Sequence, residues 1–209
     1  MAISVTTRGT KAKTRDGVAE AIYDANWHAW SGRGNVTGPP DSPLRIVEFV
    51  DGQCPYCARF QRIVDSLRAG EQASVSVEFM HLPIASHAYA ADGARALECA
   101  AKQERFDSLV HQLFARQDSL GRIPWMSFAV AAGVKDTVAF VQCLRDAPAV
   151  RIEQHRALAD SLEVKATPTV FVNGWRYAKP PTLLELRRDL VEAKAGRELF
   201  TKKRQWWHF

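Results

Sequence analysis

The sequence predicts an α/β fold in the order β-α-β, helical block, β-β-α. Three observations predict it. Leu44 to Val50 is a short apolar, β-branched run that leads directly into a helical pattern. Residues 87–162 carry repeated helical periodicity with no strand signal between. Strand character returns at Thr169 to Val172, followed by Asn173-Gly174, the strongest two-residue hairpin signal.

The elements follow in order. Residues 1–15 are polar, basic and without periodicity, and read as disordered. A short helix is expected over 17–31, carrying Ile22, Trp27 and Trp30, and a Gly/Pro-rich loop from Gly32 to Pro43. The Asn35-Val36-Thr37 sequon in that loop is read as chance. After the Leu44–Val50 strand, Cys57, Phe60, Val64 and Leu67 recur at helical spacing. Val75, Val77 and Phe79 alternate with polar neighbours and suggest a second strand. In the helical block, Phe106, Leu109, Val110, Leu113 and Phe114 form a full amphipathic stripe. Weaker patterns cover 89–103, 125–132, 137–146 and 149–162, giving about four or five helices. Trp175 to Ala178 makes the return strand of the hairpin. A last helix starts near Thr182, where Thr182 and Glu185 match a capping box and Leu183, Leu186, Leu190 and Val191 form the apolar stripe.

Composition bounds the function. The chain has 209 residues, 46% hydrophobic and 24% charged, enough apolar material for one domain with a large insertion. The net charge of +5 is scattered apart from Lys202, Lys203 and Arg204, and no basic patch is interleaved with aromatics, so no nucleic-acid partner is expected. No apolar run reaches the length of a membrane span. Met1 to Thr14 shows no signal-peptide pattern. The expected compartment is cytoplasmic if residue 1 is the natural start, and extracytoplasmic if a leader or anchor is missing. The aromatic end, Gln205 to Phe209, is read as packing on the domain or making contacts.

Four cysteines carry the chemistry: Cys54, Cys57, Cys99 and Cys143. Only the first two are close, which disfavours a structural zinc site, and no metal or other cofactor is expected. Cys54-Pro55-Tyr56-Cys57 stands at the strand-to-helix junction. Disulfide exchange needs one thiol to attack and another to resolve, and this spacing puts both in one helical turn. Cys54 falls at the helix N-terminus, where partial positive charge and free N–H groups favour a thiolate, so it is the expected nucleophile. Cys57, one turn inward, is expected to resolve. Pro55 suits the first turn, where its missing N–H leaves nothing unsatisfied. Ala166-Thr167-Pro168-Thr169 places a proline at a strand entrance, which argues for a special backbone role. Cys99 and Cys143 fall on two helices of the block. They are read either as a disulfide tying those helices or as two buried thiols, the disulfide being favoured in an oxidising compartment. His81 and His87, near the end of the second strand, have no acidic partner at useful sequence spacing and are read as packing or helix-start residues.

Taken together, Val47-Glu48-Phe49-Val50, Cys54-Pro55-Tyr56-Cys57 and Thr167-Pro168 before Val170 to Gly174 resemble the DsbA-like branch of the thioredoxin superfamily. Leu82-Pro83 with His87, and Glu98-Cys99-Ala100 with Gln103, resemble it too. The resemblance covers about residues 40–196. It implies a thioredoxin-like fold over 40–86 and 163–196 with an all-helical insertion at 87–162, flanked by an N-terminal extension over 1–39 and a tail over 197–209. It implies a dithiol oxidase acting on protein or peptide thiols, with reoxidation by a membrane partner. Thr167 and Pro168 would form a cis-proline loop facing Cys54 and pair with substrate backbone. Glu48 would be a buried acid moving protons at Cys57. Tyr56 departs from the family's best-known oxidant, which has His there; Tyr adds no positive charge, so the direction of electron flow stays open. A reductase or isomerase of the same fold, and a non-catalytic peptide-binding module, are the alternatives. Glutaredoxins also use Cys-Pro-Tyr-Cys, but they are much shorter and lack the helical insertion.

Overall fold

Strand β4 (Leu44–Val50) and strand β5 (Val75–His81) form a parallel pair in the sheet, joined by helix α2 (Pro55–Glu71). The computed structural model describes residues 10–13, 20–71 and 74–202. Strand β6 (Thr169–Val172) lies antiparallel to β4, with Glu48 opposite Val170, and β7 (Trp175–Tyr177) lies antiparallel to β6. The turn between them is Asn173-Gly174, both at positive φ (45° and 83°), as a tight hairpin requires. The Asn173 side chain extends the lock by accepting from Arg45 N and donating to Pro43 O.

Alternation along β4 decides which residues meet which layer. Leu44, Ile46 and Val50 join the core with α2 residues Cys57, Phe60, Val64 and Leu67 and with Leu186 and Leu190 of helix α8 (Leu183–Lys194). Val47 and Phe49 face the opposite layer, with Met80, Phe171, Leu158 and Trp30. Glu48 has the parity of Ile46 and Val50, so it points under α2. The capping box holds: Thr182 Oγ1 accepts from Glu185 N, and the Glu185 carboxylate accepts from Thr182 N.

The helical block consists of α3 (Ala90–Ala101), α4 (Phe106–Ala115), a 3-10 turn at Gln117–Ser119, α5 (Trp125–Ala131), α6 (Thr137–Asp146) and α7 (Val150–Ser161). Its amphipathic stripes place Leu109, Val110, Leu113, Phe128 and Phe140 inward.

Several expectations need correcting. Segment 17–31 is not one helix. Strand β2 (Glu20–Tyr23) pairs with β7, and among the described residues of the segment only the single turn α1 (Trp27–Trp30) is helical. Trp30 is buried and its indole N–H donates to Asp24 Oδ2 at 2.7 Å. Trp27 and Trp30 are core residues, but of a packed turn rather than a long amphipathic helix. Strand β1 (Thr10–Lys13) lies within the segment read as disordered, paired with β2; residues 1–9 and 14–19 lie outside the described residues. The Gly32–Pro43 loop contains strand β3 (Asn35–Thr37), paired with β5. Gly34 lies against β5 so closely that a Cβ there would stand 2.4 Å from Phe79 O. Residues 20–39 therefore contribute two strands to the sheet, whose full order, with β8 at Thr201–Lys202, is β3-β5-β4-β6-β7-β2-β1-β8. Strand β8 (Thr201–Lys202) pairs with β1, and Leu199 and Phe200 are buried, Phe200 against Trp175 and Tyr177, so 197–202 is not a free tail. The aromatic end at 205–209 lies outside the described residues. Strand β5 is buried on both faces, Ser76 and Glu78 included, because helices cover both sides of the sheet. Glu78 accepts from Gly32 N and Gly34 N, which makes its burial tolerable.

Candidate active site

Cys54 stands at the N-cap of α2, immediately after β4 and a short loop. Its N–H donates to Asp51 O at 3.0 Å and its carbonyl accepts from Ala58 N at 3.2 Å. Both thiols are free and both are buried, Cys54 at 4% exposure and Cys57 at 0%. Pro55 is the first helical residue. Tyr56 is 62% exposed, with the Arg59 guanidinium 5.5 Å from its ring centroid. The Thr167–Pro168 peptide bond is cis, and the Thr167 carbonyl lies 3.3 Å from Cys54 Sγ. Two segments 113 residues apart thus meet at one sulfur.

The two thiols are pushed in opposite directions. Cys54 falls to about 5, first because the Cys57 thiol hydrogen-bonds its sulfur. Thr167 and the backbone N–H groups of Cys57 and Tyr56 add to this, while partial burial works against it. Cys57 is pushed up, chiefly by burial, then by its bond to Cys54 and the nearby Glu48 charge. Glu48 is fully buried and its carboxyl is raised well above the ordinary range by desolvation. Neither Glu48 oxygen has a hydrogen-bond partner among the described residues that meets ordinary geometry; the Cys57 thiol is the polar group acting on it. At neutral pH the arrangement holds a thiolate at Cys54 and a thiol at Cys57, while burial pushes Glu48 toward its protonated form. A thiolate so placed can attack a disulfide sulfur.

The loop before Cys54 is held by Asp51, Gln53 and Gln117, which the sequence pattern did not single out. Asp51 has a fully buried carboxylate. Its Oδ1 accepts from Gln53 N at 2.7 Å, and its Oδ2 from Ile84 N and His87 Nδ1, both at 2.8 Å. Gln53 Oε1 accepts from Tyr89 N at 2.7 Å. Gln117, in the helical block, donates from Nε2 to Gly52 O at 2.9 Å and to Cys54 O at 3.0 Å. Only one signal could have flagged this set. Asp-x-x-Cys is a loop pattern in which a short acidic side chain caps the following backbone.

His81 and His87, for which no acidic partner stands at useful sequence spacing, each find one in space. His87 meets Asp51, 36 residues away, and His81 Nε2 meets Glu98 Oε1 at 2.8 Å. Sequence spacing could not show either pair, because folding brings β4, the loop after β5 and α3 together. Glu98 also accepts from Asn35 Nδ2 and faces Arg151. His155 Nδ1 accepts from His81 N at 2.9 Å, so its Nε2 carries the proton toward Arg33 O. Cys99 and Cys143 form a disulfide between α3 and α6. Among the described residues, no group of three or more His, Cys, Asp or Glu side chains could hold a metal, and no helix is long and apolar enough to cross a membrane.

Comparison with known proteins places this geometry. A family model described as thioredoxin matches residues 31–192. A sequence relative, Na(+)/H(+) antiporter NhaA 1 of Mycolicibacterium gilvum, is 38% identical over 169 residues, 79% of this chain and 27% of the relative. Na(+)/H(+) antiporter NhaA 3 of Salinispora tropica is 34% identical over 191 residues, 90% of this chain and 29% of the relative. The chain therefore spans between a quarter and a third of the length of these relatives. Among solved structures, a thioredoxin-like oxidoreductase from Silicibacter pomeroyi superposes with a TM-score of 0.67 at 23% identity, covering 80% of this chain and 95% of that one. BdbD from Bacillus subtilis gives 0.67 at 20% identity, with 78% and 94% covered. Wolbachia pipientis alpha-DsbA1 gives 0.65 at 20%, with 79% and 92% covered. With its β-α-β and β-β-α halves separated by helices, and a family match across most of its length, the chain belongs to the thioredoxin family and has the DsbA-like form of that fold.

Proposed function

We propose that the chain is a thiol–disulfide oxidoreductase that acts as a dithiol oxidase through Cys54 and Cys57. The observation that carries this reading is the opposed poise of the two thiols at one helix N-terminus, facing the Thr167 carbonyl. A stabilised Cys54 thiolate favours the reduced form of the couple, which makes the oxidised form the stronger oxidant. In the oxidised protein, a substrate thiolate attacks Cys54 Sγ. The Cys54–Cys57 bond breaks and its electron pair passes to Cys57, which takes the proton held at Glu48. A second substrate thiolate then attacks the substrate sulfur of the mixed disulfide. Cys54 leaves as its stabilised thiolate, and two electrons have moved from substrate dithiol to enzyme. The backbone at Thr167 and Pro168 offers strand-like pairing to the substrate.

The Cys99–Cys143 disulfide supports an oxidising, extracytoplasmic setting. The relatives named as antiporters support a place beside a membrane protein, and reoxidation by a membrane redox partner fits that place. The test is refolding of a reduced, disulfide-containing substrate. Oxidised wild type should accelerate it, and Cys54→Ser should abolish the acceleration; equal rates would overturn the reading. A second reading, reductase or isomerase, draws on Tyr56, which adds no positive charge beside the thiolate. A thioredoxin-like reduction potential, about −270 mV, would favour it. For a binding module, Cys57→Ser would trap no substrate covalently.

A further inference from the structure

Gln117 reaches out of the helical block and touches the redox loop at two carbonyls, Gly52 O and Cys54 O. The second is informative. Cys54 O belongs to the peptide that joins the N-cap residue to Pro55, and it already accepts from Ala58 N in the first helical turn. The thiolate depends on the geometry of that turn, because the N–H groups of Tyr56 and Cys57 point at Cys54 Sγ only while Cys54 keeps its N-cap conformation. The other fasteners of the loop act before Cys54. Asp51 holds the turn through Gln53 N, and Gln53 is tied to Tyr89 N. Leu113 of α4 closes over Gly52, where an added Cβ would stand 2.9 Å from its methyl carbon. Gln117 is the side chain outside α2 that grips the carbonyl of Cys54 itself, and its amide N–H group also brings a positive dipole end to the loop.

We propose that Gln117 is a positioning residue for the exchange reaction, fixing the N-cap conformation of Cys54 from the helical block. The proposal rests on the oxidoreductase reading for its consequence in turnover, but not for its effect on the sulfur. The inserted helices thereby gain a chemical role, because the 3-10 turn after α4 sets the reactivity of a thiol on a different layer.

The test is a titration of the reduced protein by ultraviolet thiolate absorbance, with thermal melts alongside. Gln117→Met keeps the length of the side chain and removes the donor; Gln117→Ala removes both. Each should raise the Cys54 midpoint by about half to one pH unit, as the N–H groups of Tyr56 and Cys57 lose part of their aim at Sγ. Substrate refolding at neutral pH should slow by about two- to five-fold. Gln103→Met is the control. Gln103 makes a similar two-bond clamp, to Asp136 N and O, elsewhere in the helical block. Its loss should lower the melting temperature and leave the Cys54 midpoint in place. A wild-type midpoint in folded Gln117→Met and Gln117→Ala would overturn the proposal, as would an equal shift in Gln103→Met. A shifted midpoint in protein that never accelerates refolding would sink the oxidoreductase reading and leave the positioning role standing.

Discussion

Single side chains at this site hold conflicting demands. Glu48 is a carboxyl buried without a satisfactory partner, in a strand whose other inward residues are apolar. Such a group opposes folding, a cost that the proposed proton transfer to Cys57 accounts for. Glu48→Leu should therefore stabilise the protein by about 1–3 kcal/mol in denaturant melts and slow disulfide exchange by about 10²-fold, the usual scale for losing a positioned acid or base. The thiol pair gives a second prediction. Cys54 titrates at about 5 and Cys57 far higher. Reduction of the disulfide then takes up two protons below pH 5 but only one above it. The reduction potential should fall by about 59 mV per pH unit on the acid side and about 30 mV per unit from pH 5 to at least neutrality, as read by equilibration with a glutathione buffer. A single slope across pH 5 would show that Cys54 is not a thiolate at neutral pH. The placing of Cys54 at a helix N-terminus and of Cys57 one turn inward was legible because CxxC at a strand-to-helix junction has a local physical meaning. Asp51 and Gln117 were not, because their partners are groups brought close only by folding.

At the scale of elements, β5 is fastened to α7 by a histidine. Burial first of all lowers His155 from 6.5 to about 4, and its Nδ1 accepts from His81 N. In the folded protein it stays neutral while the unfolded chain protonates below pH 6.5. The stability it carries is present above 6.5 and is lost as pH falls through 4, amounting to about 3 kcal/mol over that range. His155→Gln can still accept from His81 N and donate to Arg33 O but does not titrate, so its acid unfolding curve should be flatter between pH 6.5 and 4. The β6–β7 hairpin is equally constrained. A Cβ on Gly174 would lie 2.5 Å from Trp27 Cδ1, at φ +83°. Gly174→Ala should lower stability by about 2 kcal/mol or more. Helices α3 to α7, the hairpin and the capping box were legible from periodicity and turn chemistry. Strands β1, β2, β3 and β8 were not. They have two to four residues each, too few to show alternation, and their strand state depends on the edges they join.

For the whole molecule, the Cys99–Cys143 disulfide ties α3 to α6 across 44 residues of the helical block. Closing a loop of that length stabilises by about 4 kcal/mol in the chain-entropy model. The Cys99→Ala/Cys143→Ala pair should lose about 2–4 kcal/mol in denaturant melts while keeping Cys54-dependent activity at permissive temperature. The block also closes over the active site, since Leu113 packs on Gly52 and Gln117 holds Cys54 O. By itself the sequence determined the order of elements from Leu44 to the last helix, the position of the Cys54–Cys57 pair on a helix N-terminus and the membership of Glu48 in an apolar strand. Each of these depends on spacing within a few residues. The tertiary structure decided which far segments meet: Thr167 at Cys54, Asp51 with His87, Gln117 on the loop, and the terminal strands along the sheet edge. Those contacts arise from packing layers together, and a local pattern carries no record of its distant partner.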